Sequence, residues 1–319
     1  MQRKKNIRLT VVLIILVTIT AFVYYNDEDG NSLDIEKDAF ALSADESAVV
    51  DRIVLKGKNT TNTLQVVDRK WTLNDQYLAD QNMVQVLFAI FQQVKVRRKV
   101  ASNQETVVSD ALDQSGVAIE IYGNGEVIKK FRATGNQQNT LTYFENEDEE
   151  AYVVNIPGYN YYVFGVFQSG ENELRDRIVF RLNWANLEEL KLDHRDQDKD
   201  DFSVVVGQTY FEIGGLVETD TSKLNDFMDD ISYLYIDQYL NAGENPAYDS
   251  LVQNQPLVSI TAKDVGGNTR HIDFYERLKG DPYILTRIDS SQMALIPHKR
   301  ASNLYRQKGH FLPPDNDDS

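Results

Sequence analysis

The sequence predicts an α+β protein in which an N-terminal transmembrane helix is followed by two tandem repeats of a β-hairpin/helix/β-hairpin unit with antiparallel sheets. Three observations carry this prediction. An uncharged apolar run from Leu9 to Tyr25 follows directly on a basic block formed by Arg3, Lys4, Lys5 and Arg8. The rest of the chain repeats its own pattern at an offset of 140 residues. Within each repeat, alternating apolar stretches flank one stretch of helical periodicity, and strand runs broken by isolated helices favour α+β over a doubly wound parallel sheet.

The apolar run has the length needed to cross a hydrocarbon layer. Positive residues on its N-terminal side predict a cytoplasmic N-terminus and an extracytoplasmic remainder. A cleaved signal peptide shares these basic and apolar regions, but the run ends Ala21-Phe22-Val23-Tyr24-Tyr25 without a small-residue cleavage site. The expected organisation is a cytoplasmic stub and signal anchor over 1–29, a first α+β repeat over 30–168, a second over 169–306, and an acidic flexible tail over 307–319.

The repeat is legible position by position. Leu64, Val66, Trp71 and Leu73 stand 140 residues before Val204, Val206, Phe211 and Ile213, two strands and a tight connection in each copy. Val84, Leu87, Phe88, Phe91 and Val94 recur as Leu224, Phe227, Met228, Ile231 and Leu234, with the i, i+3, i+4, i+7 spacing of an amphipathic helix. Asp80 and Asp220 precede these helices as N-caps. Alternation follows in Val117-Ile119-Ile121 and Val258-Ile260-Ala262, leading into the turns Asn124-Gly125 and Gly266-Gly267. The copies close on Ile156-Pro157 and Ile296-Pro297.

Composition narrows the function classes. With 319 residues, 42% of them hydrophobic, and 17 Tyr and 14 Phe, the chain has material for two folded domains. A net charge of −16, more negative still without the basic block, repels phosphate backbones and excludes nucleic acid. The absence of cysteine excludes a disulfide framework and a thiol nucleophile. The histidines, His194, His271, His298 and His310, lie in no H-E-x-x-H spacing, and no serine lies in a G-x-S-x-G elbow. The acidic stretch Asp193–Asp201 lacks the Gly and Glu of a calcium loop, and Glu145–Glu150 reads as a hydrated loop. No catalytic residue, cofactor or metal ligand is therefore expected. The segment Tyr159, Tyr161, Tyr162, Phe164 and Phe167 is richer in aromatics than a linker requires, which makes it the candidate partner-binding surface; packing between the units is the competing reading.

Phe40-Ala-Leu-Ser-Ala-Asp-Glu-Ser-Ala-Val-Val-Asp-Arg-Ile-Val-Leu55, the strand Trp71-Thr-Leu-Asn74 and the link Leu174-Arg-Asp-Arg-Ile-Val-Phe180 resemble the bacterial family called domain of unknown function 4340 (DUF4340), over about residues 38–300. The resemblance implies a protein of the bacterial cytoplasmic (inner) membrane, encoded beside ABC-transporter components of the gliding-motility type, and it brings no catalytic residue with it. The function expected is a non-catalytic, membrane-anchored, extracytoplasmic accessory or scaffold protein. Its partners would be the membrane and subunits of such a transporter complex. An enzyme acting on envelope glycans through paired carboxylates, or a small-ligand receptor with a site between the two repeats, are the alternatives.

Overall fold

The computed structural model describes residue 18 and residues 37–313, apart from 160, 184, 196–199 and 208–210. A capped turn of helix α1 (Ala44–Val49) leads into strands β1 (Val50–Lys56), β2 (Thr61–Val67), β3 (Lys70–Leu73) and β4 (Tyr77–Leu78). Helix α2 (Gln81–Gln93), β5 (Lys95–Lys99) and helix α3 (Glu105–Ser115) follow. Then come β6 (Val117–Gly123), β7 (Glu126–Gly135), β8 (Thr142–Glu145) and β9 (Ala151–Asn155), and the short helices α4 (Phe164–Phe167) and α5 (Glu171–Leu174). The second half runs β10 (Leu187–His194), β11 (Phe202–Val206), β12 (Phe211–Ile213), α6 (Thr221–Ser232), β13 (Gln238–Leu240) and α7 (Pro246–Leu251). It ends with β14 (Val258–Asp264), β15 (Thr269–Phe274), β16 (Tyr283–Ile288), β17 (Gln292–Pro297), α8 (His298–Ala301) and a 3₁₀ turn over Lys308–Phe311.

These strands form two sheets, ordered β4-β3-β2-β1-β6-β7-β8-β9-β5 and β12-β11-β10-β14-β15-β16-β17-β13. From β3 and β12 onward the two orders match strand for strand. Paired strands run antiparallel. Register follows apolar alternation, because a slip of one residue would turn every buried side chain to solvent. Ile53 lies opposite Leu64 and Ile121, and Leu190 opposite Val204 and Ala262, all buried. At the β6–β7 turn both Asn124 and Gly125 have positive φ, 55° and 84°, as a type I′ hairpin requires.

The helical stripes bury as their spacing demands. Leu87 and Phe91 on α2, and Ile231 on α6, are fully inaccessible. Each such side chain contributes roughly 1.5–3 kcal/mol of transfer free energy. Asp80 caps α2 by accepting from the backbone N–H groups of Asn82 and Met83, and Asp220 caps α6 by accepting from Ser222 and Lys223. By contacts the chain divides into a first compact unit, residues 1–66 and 85–168, and a second, residues 67–84 and 169–319. Rings of Phe40, Phe91, Phe131, Phe144 and Phe167 meet in the first. The second is built around Phe180, Leu190, Val204, Phe227, Ile260 and Phe274.

The structure corrects the expected fold class. The described residues are mostly antiparallel sheet, in two large sheets with few helices, in place of the expected α+β pair of hairpin/helix/hairpin units. Local periodicity finds each strand but not the partner on its far side. β1 pairs with β6 across a segment that contains both α2 and α3, so the hairpins on either side of α2 fuse into one sheet. The expected spanning run Leu9–Tyr25 lies outside the described residues save for Thr18, and among the described residues no helix is long and apolar enough to cross a membrane. Phe311, expected in the flexible tail, is fully buried against Phe202 and Phe227. The segment 67–84, expected in the first repeat, belongs to the second unit.

Candidate functional site

Helix α2 carries no charged residue in thirteen positions, in a chain that is 26% charged. Its inner stripe enters the core, and that stripe alone would satisfy a surface helix. A second apolar stripe lies on another face, with Val86 39% exposed, Ala89 half-buried and Ile90 buried at 4%. The corresponding positions of α6, 140 residues on, are Asp226, Asp229 and Asp230, all exposed. Two helices of one pattern thus present opposite chemistry on their outer faces.

The segment after β9 runs beside this stripe and forms with it an apolar groove of about 420 Å³. Tyr159 and Tyr161 line it with stacked rings, 6.1 Å between centroids, and remain 56% and 77% exposed. Tyr162 is half-buried and stands edge-on to Phe164. A Cβ at Gly135 would collide with the Tyr162 ring, so the glycine is what lets that side chain lie down on β7. Burial pushes the Tyr162 hydroxyl above the ordinary phenol value.

Of the five aromatics singled out by sequence, the structure brings Tyr159, Tyr161 and Tyr162 to the groove. It does not bring Phe164 and Phe167, which are 2% exposed and serve the core of the first unit. Val86, Ala89 and Ile90 were missed, although the uncharged helix was a visible signal. The groove adjoins β5, since Gln93 leads into Lys95, and Asn155, the partner of Lys95, leads into Ile156. On β5, Arg97 and Arg98 are exposed and make no ion pair among the described residues, whereas Lys95 and Lys99 are held by Asp38 and Glu150.

The carboxylate-rich places are built differently. In a polar hollow of about 640 Å³, Arg132 on β7 is shared by Asp113 of α3 at 2.7 Å and Glu145 of β8 at 3.1 Å. Lys99 donates to Glu150 at 2.6 Å, and this bond, followed by the one from Tyr152, holds the Glu150 carboxyl below its usual range. Arg132 thus ties Asp113 of α3 to Glu145 of the sheet, and Lys99 ties β5 to the turn before β9.

In the second unit, Thr261 Oγ1 lies 2.8 Å from His271 Nδ1, and His271 Nε2 lies 2.9 Å from Asp273 Oδ1. Ser259 and Arg287 donate to the same carboxylate at 2.6 Å and 2.9 Å. These residues are directly cross-strand on β14, β15 and β16, a hydrogen-bond ladder anchored on one buried aspartate. Among the described residues no group of three or more His, Cys, Asp or Glu is placed to hold a metal ion.

The quoted link 174–180 gathers its own contacts within the second unit. Arg175 is 8% exposed and lies between the rings of Tyr77 and Tyr239, with its guanidinium carbon 3.7 Å and 3.9 Å from their centroids. Asp80 N–H donates to Leu174 O, and Asp176 N–H donates to Leu78 O, both at 2.8 Å. Arg177 donates to Asp237 O at 3.0 Å and approaches Asp80 at 3.8 Å.

Residues 71–250, more than half of the chain, match the family described as Domain of unknown function (DUF4340). The chain belongs to the DUF4340 family. No curated protein and no solved structure matches it. The DUF4340 match begins at Trp71 and takes in α2, the tyrosine segment and the Arg175 clamp, while the quoted stretch Phe40–Leu55 lies ahead of it.

Proposed function

We propose that this DUF4340 protein is a non-catalytic scaffold that holds a partner chain along the groove between α2 and the tyrosine segment. The observation that carries the reading is the apolar groove with two exposed, stacked tyrosines, at helix positions where the sister helix carries three aspartates. Tyrosine suits such a surface because it brings large contact area with few rotatable bonds. The adjoining Arg97 and Arg98 supply positive charge in a chain of net charge −16. The occupant that fits is a partner segment with apolar side chains for the groove and acidic residues beside them.

The partner class follows the neighbourhood that the family resemblance implies: subunits of an ABC-transporter complex of the gliding type, met on the extracytoplasmic side. A photo-crosslinking residue in place of Tyr161, compared with one in place of the exposed Val217 of the second unit, tests this in membranes containing the transporter. Transporter subunits are expected to crosslink from position 161 and not from 217. Val86→Asp, which copies the residue of the sister helix, is expected to cut the yield about tenfold, and reversing Arg97 and Arg98 to Glu to slow capture most at low salt. Equal labelling from both positions, or recovery of the protein without any transporter subunit, would overturn the proposal.

A further inference from the structure

A cavity of about 450 Å³ within the second unit lies at the end of β10, the start of β14 and the stretch around the final 3₁₀ turn. Its volume falls in the range of sites for small metabolites. Several of its polar groups are buried without a hydrogen-bond partner, namely Nε2 of His194, the Tyr305 hydroxyl and Oδ2 of Asp200, while Nδ1 of His194 faces the Asp201 carboxylate at 3.5 Å. A buried donor or acceptor left unmet is destabilising, so three residues of this kind around one hollow call for an occupant. The Tyr305 ring is fixed edge-on to Phe274, 5.5 Å between centroids, which fixes where its hydroxyl sits.

Cationic side chains outnumber carboxylates in the lining of the cavity. Arg195, Arg306, His194 and His310 line it against Asp200. Arg195 is committed, donating to Glu276 and to Gln255 O. Arg306 is half-buried and makes no ion pair among the described residues. His310 is held below the usual histidine value by burial first and then by the charges of Arg306 and Lys223, against the opposing charge of Asp220.

An anion answers Arg306, but an anion alone leaves the other groups unmet. A neutral imidazole and a phenol each donate one hydrogen bond and accept another, and a carboxylate only accepts. Hydroxyl groups, which do both, meet all three; an ammonium group, which only donates, does not.

We propose that this cavity binds a small polyhydroxylated carboxylate of the sugar-acid class, with its carboxylate against Arg306 and its hydroxyls on Tyr305, His194 and Asp200. This site is independent of the docking groove. Calorimetric titration of the full chain with D-galacturonate tests it, with D-galactose and sulfate as comparators. Galacturonate is expected to saturate one site, with galactose and sulfate each binding at least about tenfold more weakly. Arg306→Gln removes a side chain without an ion pair, and Tyr305→Phe removes only the orphan hydroxyl, so both variants are expected to fold, as circular dichroism would verify. The first is expected to weaken galacturonate at least about tenfold and the second several-fold. Absence of saturable galacturonate binding up to about 10 mM, parity of galactose or sulfate with galacturonate, or unchanged affinity in both variants would each sink the proposal.

Discussion

Arg175 illustrates how a charged side chain becomes a structural fastener. Buried between two tyrosine rings, it has exchanged water for cation–π contact on both faces, and it donates to Gln292 at its edge. Arg175→Ala is expected to cost about 2–4 kcal/mol in urea unfolding, and Arg175→Lys to recover little, since an ammonium lacks the flat guanidinium that fills the slot. Asp273 makes the complementary case. Burial, the largest influence, pushes its carboxyl up, and the hydrogen bonds from Ser259, Arg287 and His271 together outweigh it and hold the group below its ordinary value. The folded state therefore takes up this proton less readily than the unfolded state. The stabilisation is complete above an aspartate's ordinary value of about 4 and is lost as pH falls through the folded value. Denaturation midpoints measured between about pH 5 and about pH 3 are expected to fall, with a shallower fall in Asp273→Asn, and a parallel slope in the two proteins would refute the assignment.

At the scale of elements, α2 and α6 share a buried stripe and differ where Val86, Ala89 and Ile90 stand against Asp226, Asp229 and Asp230. The buried stripe was legible, because 3.6-residue periodicity, an aspartate cap and burial all state the same requirement. The second face of α2 was equally present in the letters, as thirteen residues without a charge, yet a periodicity search looks for one stripe and stops. Phe164 and Phe167 misled for a related reason. Aromatic density marks both cores and interfaces, and only the path of the chain decides which ring turns inward. Gly135→Ala separates shape from composition, since it alters no groove residue but evicts the Tyr162 ring from its place over β7. The tyrosine's fluorescence or side-chain NMR signal is expected to report greater exposure, and partner crosslinking from position 161 to decline; an unmoved Tyr162 would show that the backbone yields instead.

At the scale of the molecule, the two sheets repeat one strand order, and equivalent elements from β1 and β10 to β9 and β17 stand about 140 residues apart. That offset was readable from a handful of apolar positions. What escaped was how the strands join, because β1 with β6, and β10 with β14, are pairings across long separations that leave no local mark. The assignment of residues 67–84 escaped for the same reason: backbone bonds from Leu78 and Asp80 to Leu174 and Asp176, together with the Tyr77–Arg175–Tyr239 stack, are distant in sequence. Residues 169–319 produced alone are expected to bind hydrophobic dye and melt early, and to regain a cooperative transition when 67–84 is fused ahead of them. Equal cooperativity with and without that piece would contradict the division. The same borrowed segment orders events on the ribosome. Leu78 and Asp80 of that segment are synthesised more than ninety residues before their partners Asp176 and Leu174. A nascent chain can lay β3 and β4 beside β2 early, but the backbone groups of Leu78 and Asp80 wait for the second half, so a stalled or prematurely terminated product would display them bare to chaperones and proteases.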